Sequence, residues 1–327
     1  MTRARPITKV LVIKLGALGD FVLALAAMQR IRLAHPGARI TLLTTPPFEA
    51  LAQASGYFDA VETDGRPEAF GEWTTMIGRI RAARYDRIYD LQTSSKSNVY
   101  FQLLRPFPPP WSGIAFGCAL PHKNPRRNLM HTLERQADQL KDAGIWPDAP
   151  TEPGAAPPSD LSWLARAAGP QRPADPSAKP YALLVPGGSA HRPEKRWPAE
   201  KFAELATRLV ARGFDIAVIG GPQEHALAQV IGQSAAIRDL TGRTDFAQIA
   251  VLGANAALAV GNDTGPLHLI AAAGAPTVAL FSSASDPELC APRGHVTVLR
   301  VEAFDQLSVA DVDQATRRLV ADDPPTR

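Results

Sequence analysis

No apolar run in this chain approaches the about 20 residues that span a bilayer, so no transmembrane helix is expected. Cysteine is scarce: Cys118 and Cys290 are the only two, far apart and at no metal-ligand or redox spacing. That excludes a disulfide scaffold and a zinc ribbon and fits reduced thiols in a cytosolic protein. Charge of one sign is also lacking. The formal net charge is +3, so no strong field for nucleic acid is implied, although a local basic patch remains open. The dinucleotide fingerprint G-x-G-x-x-G is absent from the glycine-rich turns described below.

What is present is a globular balance, 45% hydrophobic and 20% charged, over 327 residues. That length suits two domains better than one core. The opening MTRARPITK followed by VLVIKLGALGDFVLALAAM has the outline of a signal peptide. Lys14 and Asp20 interrupt its apolar part and no clean cleavage site follows, so a first buried strand and helix is the better reading.

Short Val/Leu/Ile runs alternate with helical spacing through both halves, as expected of parallel sheets covered on both faces. Strands are expected at 9–14, 38–44, 60–63, 85–91 and 111–116. Helices are expected at 21–33, 47–54, 68–83 and 130–144, with another after the polar turn at 92–97. Residues 146–180 are rich in proline and weakly periodic beyond an apolar patch at 161–168. They read as a linker, with a boundary near 175. The pattern restarts at 181–185 and runs to a last strand at 296–301 and an amphipathic helix at 309–321. The expected layout is 1–175, 176–305 and a C-terminal helix and tail at 306–327. Two doubly wound domains facing each other across a cleft follow from it, without a convincing residue repeat between the halves.

Ligands of open parallel sheets gather at the carboxyl ends of strands. Four turns of that kind stand out. In Gly261-Asn262-Asp263-Thr264-Gly265, a strand meets a helix carrying Pro266 and His268 in its first turn. Asn, Asp and Thr cap helices, and a helix N-terminus attracts anions such as phosphate. Taken alone, the segment is equally well read as a plain cap and turn. Gly16-Ala17-Leu18-Gly19-Asp20 puts a carboxylate at a helix start, where a simple cap is the bland alternative. Pro186-Gly187-Gly188-Ser189 offers N–H and hydroxyl donors, and Lys195-Arg196, bracketed by Pro193 and Pro198 and anchored by Trp197, adds positive charge. A solvated basic face is the competing reading there. Gly220-Gly221-Pro222-Gln223-Glu224 lets a flat ligand approach the backbone, or is only a tight turn.

These pieces resemble glycosyltransferase family 9, the ADP-heptose:lipopolysaccharide heptosyltransferases. The matching segments are VLVIKLGALGDFVLALAAMQRIR, LLVPGGSAHRPEKRWPAEKFAELATRL, VIGGPQE, LTGRTDFAQIAVLGANAALAVGNDTGPLHLIAAAGAPTVALF and Asp286-Pro287, in the family's order over nearly the whole chain. The resemblance implies an α/β GT-B fold, with the acceptor in an N-terminal Rossmann-like domain, the donor nucleotide in a C-terminal one, and a C-terminal helix near their junction. It implies inverting transfer of a heptose or related sugar from an ADP-sugar, with no metal and no cofactor. Asp20 corresponds to the general base and Lys195 to the cation on the leaving diphosphate. Asp263 would hold sugar hydroxyls, Thr264 and Gly265 amides the phosphate, and His268 the diphosphate or sugar.

Gly188 and Ser189 stand where relatives carry more hydroxyls, so backbone amides must contribute more. Gln223, Glu224 and the Arg243-Thr244 region are candidates for the nucleotide. The expected acceptor is a lipid-linked oligosaccharide of the Kdo–lipid A type, for which Gly19, Lys96, Arg126 and His131 are candidate contacts. Arg79, Arg81, Arg84, His122, Lys123 and Arg127 complete the basic groups on that side, most of them read as solvated or packing residues. The implied protein is cytoplasmic and monomeric, binds no nucleic acid, and touches the inner membrane peripherally. Arg3, Arg5 and Lys9 would assist, unless that segment is only a solvated tail. A nucleotide-sugar epimerase of the same fold and a non-catalytic nucleotide-sugar binding module are the alternatives.

Overall fold

Runs such as KVLVI and YALLV pack β-branched and leucine side chains on both sides of a strand, which suits a sheet whose two faces are covered. The computed structural model describes residues 6–167, 179–188 and 191–322. The chain divides into two compact units, Met1–Ala156 and Pro157–Arg327.

In the first unit the order is β1 (Lys9–Ile13), α1 (Leu18–Ala34), β2 (Arg39–Leu43), α2 (Glu49–Ser55), β3 (Ala60–Glu62), α3 (Phe70–Ala83), β4 (Arg87–Asp90), α4 (Ser95–Leu103), β5 (Trp111–Gly113), β6 (Leu120–Pro121) and α5 (Thr132–Asp142). The strands form one parallel sheet in the order β3-β2-β1-β4-β5-β6, with Val10 paired to Ile40 on one side and to Arg87 on the other. Leu11, Ile13, Met76, Ile80, Tyr100, Phe101 and Trp111 make its main cluster under α3 and α4. The N-terminal apolar stretch is thus a buried strand and helix.

The second unit continues with α6 (Ser162–Ala167), β7 (Tyr181–Val185), α7 (Ala199–Ala211), β8 (Asp215–Val218), α8 (His225–Gly232), β9 (Ile237–Asp239), α9 (Phe246–Asn255), β10 (Leu258–Asn262), α10 (Gly265–Ala272), β11 (Thr277–Phe281), α11 (Pro287–Cys290), β12 (Val296–Arg300) and α12 (Val309–Asp322). Its sheet order, β12-β11-β10-β7-β8-β9, is the first unit's order in its own strand numbering. Ala182, Leu184, Val260, Val278 and Leu280 alternate onto one face, where they meet Phe202, Leu205 and Leu209 of α7 and Val312 and Leu319 of α12. The terminal helix therefore packs inside the second unit.

Four elements differ from the sequence reading. The strand expected at 111–116 closes after Gly113, and a two-residue strand, Leu120–Pro121, pairs with it through Ser112 and Leu120. A strand so short and proline-bearing leaves no periodicity to read. Residues 162–167 form a helix within the stretch taken as linker, and Leu164 is buried. Its packing on α9 places the unit boundary at Ala156–Pro157, well before 175. β10 runs on through Asn262, so the following turn is only Asp263-Thr264.

Candidate functional site

In the second unit the turns after β7, β8 and β10 all leave the carboxyl end of the sheet. Asn262 ties two of them together. It is fully buried, its Nδ2 donates to the Pro186 carbonyl at 2.8 Å and the Gly187 carbonyl at 3.1 Å, and its Oδ1 accepts from the Trp197 N–H at 3.0 Å. Trp197 is buried against Phe202 and donates its indole N–H to the Leu307 carbonyl at 3.1 Å. The segment carrying Lys195 is therefore held at both ends. The Ser282 hydroxyl donates to the Glu194 carbonyl at 2.7 Å.

Lys195 Nζ lies 2.7 Å from Asp263 Oδ2, and both side chains are largely buried. His268 Nε2 is 3.7 Å from the other oxygen of Asp263. Burial opposes ionisation of Asp263. His268, the Lys195 ammonium and the nearby Ser285 more than offset it, so the carboxyl stays well below the usual carboxylate range. His268 Nδ1 is buried and has no hydrogen-bond partner among the described residues. The Thr264 side chain makes no cap bond and Pro266 follows at the first turn, so no side chain caps the start of α10.

Arg196 turns back, donating to the Gly188 carbonyl at 2.6 Å, which makes it a brace of the turn. Glu224 is buried and accepts the Gly221 N–H at 2.7 Å, while Gln223 is exposed over the same turn. A Cβ at Gly187 would stand 2.8 Å from Glu224 Cγ, and one at Gly220 2.7 Å from Glu224 Cβ. Both glycines are required by this close approach. Gly242 N–H donates to the Gly220 carbonyl at 2.8 Å, which brings the Arg243-Thr244 turn beside the glycine pair. Ser189 lies outside the described residues.

In the first unit Gly19 and Asp20, both half-buried, fall in the first turn of α1. Gly16 before them has φ +105°, and a Cβ there would lie 2.6 Å from the ring of Phe48, which stacks on Phe21. Lys14, at the end of β1, is buried with its Nζ 3.5 Å from the Leu91 carbonyl. Burial lowers its pKa, while the charge of Asp20 pulls it back up. Asp90, at the end of β4, is fully buried and accepts from Gln92 and Thr93 N–H groups at 3.0 and 2.9 Å. Burial pushes its carboxyl up to about 6, against these bonds, Ser97 and Lys14.

The candidate acceptor contacts divide. Lys96 is half-buried in the first turn of α4 and Arg126 is exposed. His131 is buried and accepts the Leu133 N–H at 3.3 Å as the cap of α5, 3.2 Å from Glu134. Arg79 pairs with Glu62 and Asp64, and His122 with Asp138 at 3.0 Å. Arg127 donates to His122 at 3.3 Å. Lys9 Nζ donates to the Ala83 carbonyl at 3.2 Å, whereas Arg3 and Arg5 lie outside the described residues.

Sequence reasoning overlooked Asn262 and Lys14 as site groups. Asn262 reads as a cap because its strand runs on past the end of the apolar run at Val260. Lys14 reads as an interruption of an apolar segment, and that interruption was itself the signal.

The model of glycosyltransferase family 9 (heptosyltransferase) matches residues 73–307. Lipopolysaccharide heptosyltransferase 2 of Escherichia coli K12 is 25% identical over 98% of this chain and 96% of its own. The structure of E. coli ADP-heptose lps heptosyltransferase II is similar with a TM-score of 0.76 and 23% identity, covering 96% of this chain and 99% of that one. E. coli heptosyltransferase WaaC with ADP-2-deoxy-2-fluoro heptose is similar with a TM-score of 0.72 and 21% identity, covering 95% and 99%.

Proposed function

The chain belongs to glycosyltransferase family 9, and from that premise we propose that it transfers a heptose from ADP-heptose to a lipid-linked lipopolysaccharide core acceptor, with inversion and without a metal. The observation that carries this reading is the Lys195–Asp263 pair, 2.7 Å long, beside the uncapped start of α10. An ammonium has three donors, and Asp263 uses one. The remaining N–H groups and the positive end of α10 suit the oxygens of a diphosphate. His268 stands beside the same carboxylate as a further donor to diphosphate or sugar. Glu224 and the two glycines it packs against shape the turn that receives the nucleoside. The donor identity is supported by relatives named as heptosyltransferases, one of them solved with an ADP-heptose analogue.

The reaction needs one base. Asp20 accepts the proton of the acceptor hydroxyl as that oxygen bonds to the anomeric carbon. The bond from that carbon to the phosphate oxygen breaks, and ADP leaves with the electron pair. A nucleotide-sugar donor and a lipid-linked acceptor together place the work in the cytoplasm, against the membrane that holds the acceptor.

The test is turnover of ADP-heptose with a Kdo–lipid A type acceptor. Asp20→Ala is expected to lower the rate by roughly 10²–10⁴-fold while ADP affinity persists. Full activity in that variant would remove the base assignment. Donor consumption without acceptor, at the rate seen with it, would replace transfer by epimerisation.

A further inference from the structure

Residues 91–133 contain Lys96, Arg105, Lys123, Arg126 and Arg127 and not one Asp or Glu, in a chain that has 32 acidic residues against 35 basic ones. The same stretch carries exposed large hydrophobic side chains: Phe107 is 90% exposed, Phe116 87%, and Leu103 42%. Arg105 is the link between several of them. Arg105 Nη2 donates to the Phe116 carbonyl at 3.3 Å, and its guanidinium lies over the Phe101 ring, 5.7 Å from the centroid. Arg81, exposed at the end of α3, donates to the Leu103 carbonyl. Phe107 follows Arg105 by two residues. Two bare aromatic residues thus adjoin a fixed guanidinium, Phe116 through its carbonyl and Phe107 through the chain.

Surface phenylalanines this bare are not explained by the fold of the unit, whose own core is complete beneath them in Phe101, Trp111 and Leu104. Exposed aromatic rings beside a guanidinium, on a stretch of chain that itself carries no Asp or Glu, match a membrane surface that is apolar below and anionic above. A second copy of the chain is a poorer occupant, because a two-fold interface through this face would set Arg105 and its basic neighbours against themselves. We propose that this face of the first unit docks on an anionic lipid bilayer, with Phe107 and Phe116 entering the interface and Arg105 meeting lipid phosphates. The inference deepens the proposed function and rests on its lipid-linked acceptor.

The full chain is to be sedimented with vesicles of phosphatidylglycerol and phosphatidylethanolamine, and in parallel with phosphatidylcholine alone. Binding is expected to the anionic vesicles, weakened by added salt. Phe107→Ser/Phe116→Ser is expected to lose about tenfold or more in partitioning, because both rings leave the interface. Arg105→Gln is expected to lose a smaller, salt-sensitive part, a few-fold at low salt. The double phenylalanine variant should keep its melting temperature and its turnover of a deacylated, water-soluble acceptor, while turnover of vesicle-borne acceptor falls. Wild-type binding that is absent, or unchanged by the double variant, overturns the docking surface. So does concentration-dependent self-association that the variant abolishes without any vesicle binding. Loss of turnover on the soluble acceptor in the wild type would instead strike the transferase reading, so the two failures are distinguishable.

Discussion

Two buried carboxylates at strand ends show how the same residue type is driven in opposite directions. Asp263 has an ammonium at 2.7 Å and stays ionised far into acid. Asp90 is more deeply buried, and burial outweighs its hydrogen bonds and the charge of Lys14, so it rises to about 6. The consequence for Asp90 follows from linkage. Between the ordinary value of 3.8 and about 6 the folded chain holds a proton that the unfolded chain releases, so stability from this group is present below 3.8 and is lost as pH rises to about 6. Asp90→Asn retains an oxygen for the Gln92 and Thr93 N–H groups and cannot ionise. Urea unfolding at both ends of that window should show the variant's slope flattened, by on the order of 3 kcal/mol across it. Asp20 and Lys195 stand out in the sequence as candidates, because a carboxylate in a glycine turn and a lysine bracketed by prolines are local patterns. The environment of Asp90 was not legible there, since Gln139, 49 residues on, closes over it by donating to its backbone carbonyl at 2.9 Å.

At the level of elements, the strand-end turns are shaped by side chains that reach across from other turns. Gly187 and Gly220 end different strands, yet both are held to glycine by the one side chain of Glu224. Gly220→Ala sets a Cβ 2.7 Å from Glu224 Cβ, a contact that backbone must move to relieve. A loss of about 1–3 kcal/mol in stability is expected, with weaker ADP binding by calorimetry. Gly78→Ala is the control. It lies inside α3 with open space around its Cβ and should stabilise by roughly 0.5–1 kcal/mol. Helices and strands with clear periodicity, such as β7 and α12, were legible to within a residue. Leu120–Pro121 and α6 were not, because a two-residue strand and a six-residue helix are specified by what they pack on.

For the whole molecule, the central fact is that both units repeat one strand order, and both present their turns at the carboxyl ends of parallel strands. The leaving diphosphate is met, in the proposed function, by the chain's own cations and helix start. Turnover should therefore survive exhaustive treatment with EDTA, while Lys195→Gln should lower it by about 10²–10³-fold. Activity abolished by the chelator and restored by a divalent cation would reverse that prediction. Among the described residues no helix is long and apolar enough to cross a membrane. The sequence by itself determined the alternation of strands and helices, the two-unit plan, the resemblance to a family and the turns where chemistry gathers, because each is written in local periodicity or in short residue patterns. Only the tertiary structure decided that Asn262 clamps two turns, that Lys14 is buried at the end of its strand, that Glu224 dictates two distant glycines and that two phenylalanines stay bare. Burial and long-range contact are properties of the assembled sheet edges, and no window of sequence contains them.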